Sequence, residues 1–330
     1  MSADLPFAVG SGTSFGARGS FCGVPVRRYD EARPGEVVIL GAPLDWGASH
    51  RPGARFGPKA IREADYLSPD GERPHLTARI DALTELPVVD AGDVPIAPGY
   101  LEEAIAAIEE RVHAVAAAGA IPLVLGGDHT VTLPNATGVA RAHGFGTIAL
   151  VHFDAHADTG EEQFGQLYGH GTPMRRLVES GAVPGDRFVQ IGLRGYWPPP
   201  STLDWMAEQG MRTYPMDVID ERGLDAVVDE AVAAASGGGV AGVFVSVDID
   251  VVDPSAAPAT GTPEPGGRTA RELLRTLRRI GRDLDVVGAD VVEVAPHYDQ
   301  PGDITAALAN RAVLELCTGI ALRRRDQGAP

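Results

Sequence analysis

Cysteine is almost missing from this chain of 330 residues: Cys22 and Cys317 are the whole supply. Two thiols cannot build a disulfide framework, so a reducing compartment, and with it a cytoplasmic location, is expected. No apolar run reaches the ~18 residues of a membrane span, and no membrane partner is expected. Aromatic residues are sparse, at 6%. Positive charge is also short. Lys and Arg number 28 against 45 Asp and Glu, a net −17. That balance repels polyanions, so no nucleic-acid partner is expected. The opening MSADLPFAVGSGTSFGARG lacks the basic stretch and apolar core of a secretory signal. What is present in quantity is core: 44% of residues are hydrophobic, which excludes a disordered chain.

Residues 1–34 are rich in Gly, Ser and Pro without periodicity and read as an irregular arm. No fixed repeat and no linker divides the rest, so a single domain over 1–330 is expected. Eight short apolar runs read as strands: Val37–Leu40, Pro87–Asp90, Ile121–Leu125, Thr147–His152, Arg187–Gly192, Met211–Tyr214, Gly242–Val247 and Val286–Val291. Several are continuous hydrophobics, as in parallel strands covered on both faces. Helical patterns lie between them at Tyr100–Ala118, Leu224–Ala235, Thr269–Arg282 and Thr305–Arg323, with Thr269 placed to cap its helix. The alternation defines an α/β fold with a parallel sheet. Eight strands suit a (β/α)₈ barrel as well as an open sheet.

Polar residues gather directly after four strands, where sites form in parallel sheets. Ile121–Leu125 runs into Gly126-Gly127-Asp128-His129, the fourth strand into Asp154-Ala155-His156-Ala157-Asp158, the seventh into Asp248-Ile249-Asp250, and the eighth into Glu293. If the chain stays extended, Asp154, His156 and Asp158 share one side, and so do Asp248 and Asp250. Taken alone, D-x-H-x-D fits a polar loop with turn-capping aspartates as readily as a ligand set. Several carboxylates buried at strand ends are costly without a cation. Four aspartates carry −4 and two divalent ions +4, with His129 and His156 completing the set. Carboxylate and imidazole donors favour Mn²⁺ over zinc, and a pair of such ions acidifies water for hydrolysis.

These segments in this order resemble the ureohydrolase family, which includes arginase, agmatinase, guanidinobutyrase and proclavaminate amidinohydrolase. GGDHT at 126–130, DAHAD at 154–158 and SVDIDVVDP at 246–254 match its signatures. GAPLDWGASHRPGARFGP (41–58), HGTP (170–173), TGTPEPGG (260–267) and DVVEVAPHYD (290–299) resemble agmatinase-type members. The resemblance implies a three-layer α/β/α sandwich around an eight-stranded, mostly parallel sheet, and a trimer or hexamer. It implies that His129, Asp154, Asp158 and Asp248 hold one manganese, and that Asp154, His156, Asp248 and Asp250 hold the other. His170 would pass protons to the departing amine, Glu293 would grip the guanidinium, and Thr262 would line the pocket. Asp128 would orient a ligand rather than be one.

The implied reaction is hydrolysis of a small cationic guanidino compound to urea and an amine. The loop Thr159-Gly160-Glu161-Glu162-Gln163-Phe164 lacks the Asn and Ser of arginase-type chains, which disfavours arginine. Glu161 and Glu162 read as solvated charges or as attractors of a cationic tail, with Glu161 the candidate contact. Trp197, in Arg194-Gly195-Tyr196-Trp197-Pro198-Pro199-Pro200, and Trp46 are candidates for the pocket rim. Agmatine leads as substrate. Guanidinobutyrate, guanidinopropionate and a guanidino-bearing natural product are alternatives. A formimino-group hydrolase of the same fold is a further one, told apart by releasing formamide. A non-catalytic relative would be expected to lose ligands or His170, and the chain retains them all.

Overall fold

The computed structural model describes residues 19–66 and 73–328. Eight strands form one parallel sheet: β1 (Val37–Gly41), β2 (Val88–Asp93), β3 (Ile121–Leu125), β4 (Ile148–Phe153), β5 (Phe188–Ile191), β6 (Arg212–Tyr214), β7 (Gly242–Asp248) and β8 (Val286–Val292). Their order is β2-β1-β3-β8-β7-β4-β5-β6. β2 and β6 are the two edges and do not pair with each other, so the sheet is open and the barrel is excluded. Ends fall within a residue of the expected spans, except that β2 continues to Asp93.

The α-helices among the described residues are α1 (Gly57–Glu63), α2 (Ala82–Glu85), α3 (Leu101–Ala117), α4 (Thr132–His143), α5 (Pro173–Glu179), α6 (Pro200–Glu208), α7 (Met216–Arg222), α8 (Leu224–Ser236), α9 (Ala270–Asp283) and α10 (Ile304–Asp326). Side chains alternate across the strands with period two, and this splits the interior into two cores. Val37 and Ile39 of β1, Ala149 and Val151 of β4 and Val245 of β7 pack with Ile61, Val227, Leu273, Leu277 and Val313 from α1, α8, α9 and α10. Val38, Leu40, Leu150 and Phe244 turn the other way, onto Ile108, Val112, Val139 and Leu177 from α3, α4 and α5. The result is the three-layer α/β/α sandwich.

Thr269 caps α9 as expected, within a reciprocal box. Its hydroxyl accepts the Glu272 N–H, and the Glu272 carboxylate accepts the Thr269 N–H. α4 escapes sequence reading because Pro134, Asn135 and Gly138 are poor helix formers. Tertiary packing overrides them: a Cβ at Gly138 would come within 2.8 Å of the Glu109 carbonyl of α3, so only glycine lets the two helices approach. Within the 23-residue α10, an 18-residue stretch of mean hydropathy 1.3 is long and apolar enough to cross a membrane, beyond what the apolar runs indicated. Here 72% of that stretch is buried within the fold. Of the arm expected over 1–34, residues 1–18 lie outside the described residues. Residues 19–34 run irregularly through two 3₁₀ turns and are pinned to the body by the buried Phe21 ring and by a bridge from Val26 to Asp90.

Candidate metal centre and active site

The four polar clusters belong to β3, β8, β7 and β4, which are neighbours at the centre of the sheet. Tertiary pairing therefore delivers four separate sequence segments to one line of strand ends, where the strand order reverses. After β3 the chain turns against Leu44, and a Cβ at Gly127 would overlap the Leu44 carbonyl. The next residue, Asp128, caps the 3₁₀ turn His129–Val131 by accepting the Thr130 N–H at 2.9 Å, and takes the Gly47 N–H at 2.7 Å on its other oxygen. It thereby fixes the turn that carries His129.

His129 is fully buried. Its Nε2 lies 3.0 Å from Ser246 Oγ, whose own proton goes to Asp290 Oδ1 at 2.7 Å. Asp290 is held in turn by Thr132 and Asn135. Nε2 is thus the protonated nitrogen and Nδ1 carries a bare lone pair. That Nδ1 stands 3.0 Å from Asp154 Oδ2, 2.9 Å from Asp158 Oδ2 and 3.1 Å from Asp248 Oδ2, and hydrogen-bonds to none. A second group adjoins it. His156 Nδ1 lies 3.0 Å from Asp250 Oδ2 and 3.5 Å from Asp154 Oδ1, and Asp250 Oδ2 has no hydrogen-bond donor.

Lone pairs aimed at one another in a buried space repel, and desolvating each ion costs several kcal/mol. Burial, then the charges of Asp250 and Asp154, push the Asp248 carboxyl well up. Burial works to lower the two imidazoles, but their carboxylate neighbours raise His129 well above its ordinary range and His156 to about 12. Every shift reports the same demand for positive charge. The orphaned Nδ1 of His129 and Oδ2 of Asp250, within an oxygen- and imidazole-rich set, fit metal cations.

Two expectations are corrected. The DAHAD segment does not stay extended. Asp154 Oδ1 accepts the His156 N–H at 2.6 Å, and Asp158 takes a left-handed φ of +52°. Asp250 likewise sits on a 3₁₀ turn, Ile249–Val251, capped by Asp248. The ligands converge because the chain bends, not because it alternates. Asp154 is shared between the groups, one oxygen to each. Asp248 joins the first group, while its second oxygen accepts the Asp250 N–H at 2.8 Å.

His170 is buried rather than a solvent-exposed loop residue. Its Nδ1 lies 3.0 Å from Glu293 Oε1, which also accepts the His129 N–H at 2.8 Å. Glu293 holds a strained φ of +65° just past β8. Its second oxygen is buried without a donor, and a Cβ at Gly261 would come within 3.0 Å of it. His156, Asp158, His170 and Asp248 form the floor of a cleft of about 270 Å³ walled by Ser49, Glu162, Gln163, Gly171, Trp197 and Thr262. Thr262 and Trp197 are both part of the cleft wall. Glu161 does not line the cleft: it is exposed, and its carbonyl accepts from Arg176. Its neighbour Glu162 takes that place. Trp46 is not on the wall, and carries the Arg55 guanidinium over its ring at 5.2 Å.

Among the residues that escaped sequence reading are His152 and Arg194. His152 donates from Nε2 to Asp154 Oδ2 at 2.8 Å, its tautomer set by Gln190 Nε2, which lies 2.9 Å from Nδ1. The signal was its place two residues before Asp154 on the same face of β4. Arg194 donates to the carbonyls of Asp250 at 2.7 Å and Glu264 at 2.6 Å, tying the loop that bears Thr262 to the end of β7. No local pattern announces that reach.

A buried Asp and His cluster at the carboxyl ends of central parallel strands, adjoined by a His–Glu pair, defines a metal-capable α/β enzyme. Residues 35–319 match the model of the arginase family. The chain is 41% identical to proclavaminate amidinohydrolase of Streptomyces clavuligerus over 88% of its length and 90% of that protein. A solved structure of that enzyme superposes with a TM-score of 0.86 at 38% identity, covering 94% of this chain and all of that one. Mitochondrial agmatinase of Gallus gallus is 40% identical, over 86% of this chain and 80% of that protein, and guanidinobutyrase of Pseudomonas aeruginosa 38%, over 86% of each. The chain belongs to the arginase family and is a hydrolase.

Proposed function

We propose that the protein is a dimanganese amidinohydrolase that cleaves a small guanidino compound with a cationic tail, agmatine first, to urea and an amine. The observation that carries this reading is the unpartnered, buried Oε2 of Glu293 beside the cluster. A carboxylate with one oxygen already satisfied twice and the other free is a ready acceptor for a planar fork of N–H donors. His129, Asp154, Asp158 and Asp248 would hold one manganese, and Asp154, His156, Asp248 and Asp250 the other. Bound there, the ions supply Lewis-acid activation of water. Glu293 orients the guanidinium toward them, Thr262 bounds the pocket, and His170 supplies a proton to the departing nitrogen.

The tail preference rests on the mouth. Glu162 and Trp197 stand there, and no Lys or Arg lines the cleft among the described residues. An ammonium tail meets a carboxylate and an aromatic face. The carboxylate tail of guanidinobutyrate would meet Glu162 with no cation to pair it. A trimer or hexamer in the cytoplasm belongs to the same proposal. A urea-release assay with Mn²⁺ across agmatine, guanidinobutyrate, guanidinopropionate and arginine tests it. Agmatine should give the highest kcat/KM. Urea from none of them, or formamide from a formimino substrate instead, would overturn the reading.

A further inference from the structure

Both ring nitrogens of His170 are occupied, which raises the question of how a proton leaves the ring for the substrate. Nδ1 faces Glu293, an ionised carboxylate that only accepts. Nε2 faces Ser49, whose hydroxyl lies 2.7 Å away and whose backbone N–H lies 3.2 Å away. Ser49 also forms part of the cleft wall, so its hydroxyl stands between the imidazole and the space where substrate binds. We infer that Ser49 is a proton relay in series with His170, carrying the proton from Nε2 to the departing amine.

The two groups of Ser49 match the two states of the ring. A protonated Nε2 has the hydroxyl oxygen to accept its hydrogen bond, and a bare Nε2 has the backbone N–H to cover its lone pair. As the guanidino C–N bond breaks, its electron pair stays on the departing nitrogen. That nitrogen takes the hydroxyl proton of Ser49 while Oγ takes the Nε2 proton. Imidazolium becomes imidazole, Ser49 ends as the hydroxyl it began as, and the amine leaves neutral. Ser49 is exposed, so solvent can return the next proton. Burial opposes charge on His170, but Glu293 more than offsets it and holds the ring up to about 9, so the donor form is present at neutral pH.

A relay must stay in place, and the loop that carries Ser49 is fastened on both sides. The Gly47 carbonyl accepts the His170 N–H at 3.1 Å, and the Gly47 N–H donates to Asp128 at 2.7 Å. Beyond Ser49, the Gly53 N–H donates to Asp45 at 2.8 Å. Asp128 also caps the turn that begins at His129, so one carboxylate registers the relay loop against the cluster.

The inference rests on the hydrolytic reading above, and the experiment separates the two. Ser49→Ala, Ser49→Thr, His170→Ala and the Ser49→Ala/His170→Ala double variant are loaded with manganese and assayed for urea release from agmatine. Metal content and thermal unfolding are measured beside the rates. Ser49→Ala should lower kcat about tenfold at nearly constant KM, less than the full effect of a general acid because water can enter the vacated place. Ser49→Thr, which keeps the hydroxyl, should recover most of it. With His170 absent, Ser49→Ala should change kcat by less than about twofold, because residues in one chain of transfer are not additive. No urea from the wild type overturns both the hydrolytic reading and the relay. Wild-type turnover with an unchanged kcat in Ser49→Ala, or an equal loss with and without His170, overturns the relay alone.

Discussion

The floor and the mouth of the cleft contrast in what holds them. The floor, with His156, Asp158, His170 and Asp248, is assembled at the ends of the central strands and backed by Asp128, His129, Asp154, Asp250 and Glu293, all buried. The mouth is loop. Trp197 is 40% exposed and Phe164 83%, and Glu162 is open to solvent. At the floor, charges act on one another with little water between them, so removing one leaves another uncompensated. At the mouth, water and salt intervene within a Debye length of ~8 Å. Chemistry is thus placed where substitutions are expensive, and substrate choice where they are cheap.

The shared carboxylate offers the strongest test of that contrast. Asp154→Asn removes a charge that faces both groups, a loss of about 3–5 kcal/mol for a buried partner. At 1.4 kcal/mol per tenfold, manganese affinity should fall by roughly two to four orders of magnitude and urea release with it. Metal analysis after dialysis reads this directly, and full loading with activity would place the ligands elsewhere. His170→Ala comes next: kcat should drop by ~10²–10⁴ with manganese content unchanged. Loss of metal instead would move His170 into the ligand set.

Glu293→Gln should lower kcat/KM by roughly 10- to 100-fold, the worth of a charge-assisted hydrogen bond, equally in low and high salt. His152→Phe leaves every proposed ligand in place but frees one oxygen of Asp154, and should weaken manganese binding ~10- to 100-fold by titration calorimetry. Glu162→Gln is the smallest. Agmatine kcat/KM should fall about two- to fivefold at low salt and recover at high salt, as for an exposed ion pair. A Glu162→Gln loss that survives high salt, or a Glu293→Gln loss that vanishes in it, would erase the distinction between floor and mouth.

Legibility follows the same division. The floor could be read because its residues come in short runs after apolar strands: GGDH, DAHAD and DID each put two or three donors together. The pairings within it could not. Ser49 and His170 stand 121 residues apart, and Thr132 and Asp290 stand 158 apart. His152 was hidden inside its strand as one more core position. At the mouth, adjacent glutamates look alike in sequence, and only the course of the turn puts Glu162 inside and Glu161 outside.

Amino-acid order by itself determined the strands, the two-sided burial of the sheet and the polar residues at four strand ends, because period and hydrophobicity act over a few neighbouring residues. It left open whether eight strands close or spread, since that depends on which edges pair, and the pairing of β3 with β8 and β7 with β4 joins distant segments. Tertiary structure alone decided that the four ends are neighbours. It also decided that the bent DAHAD loop, with Asp158 at φ +52°, aims its carboxylates at one imidazole. The physical reason is that a cluster of like charges has no local preference to form. It exists where the packing of the whole sheet holds it and where a cation can complete it.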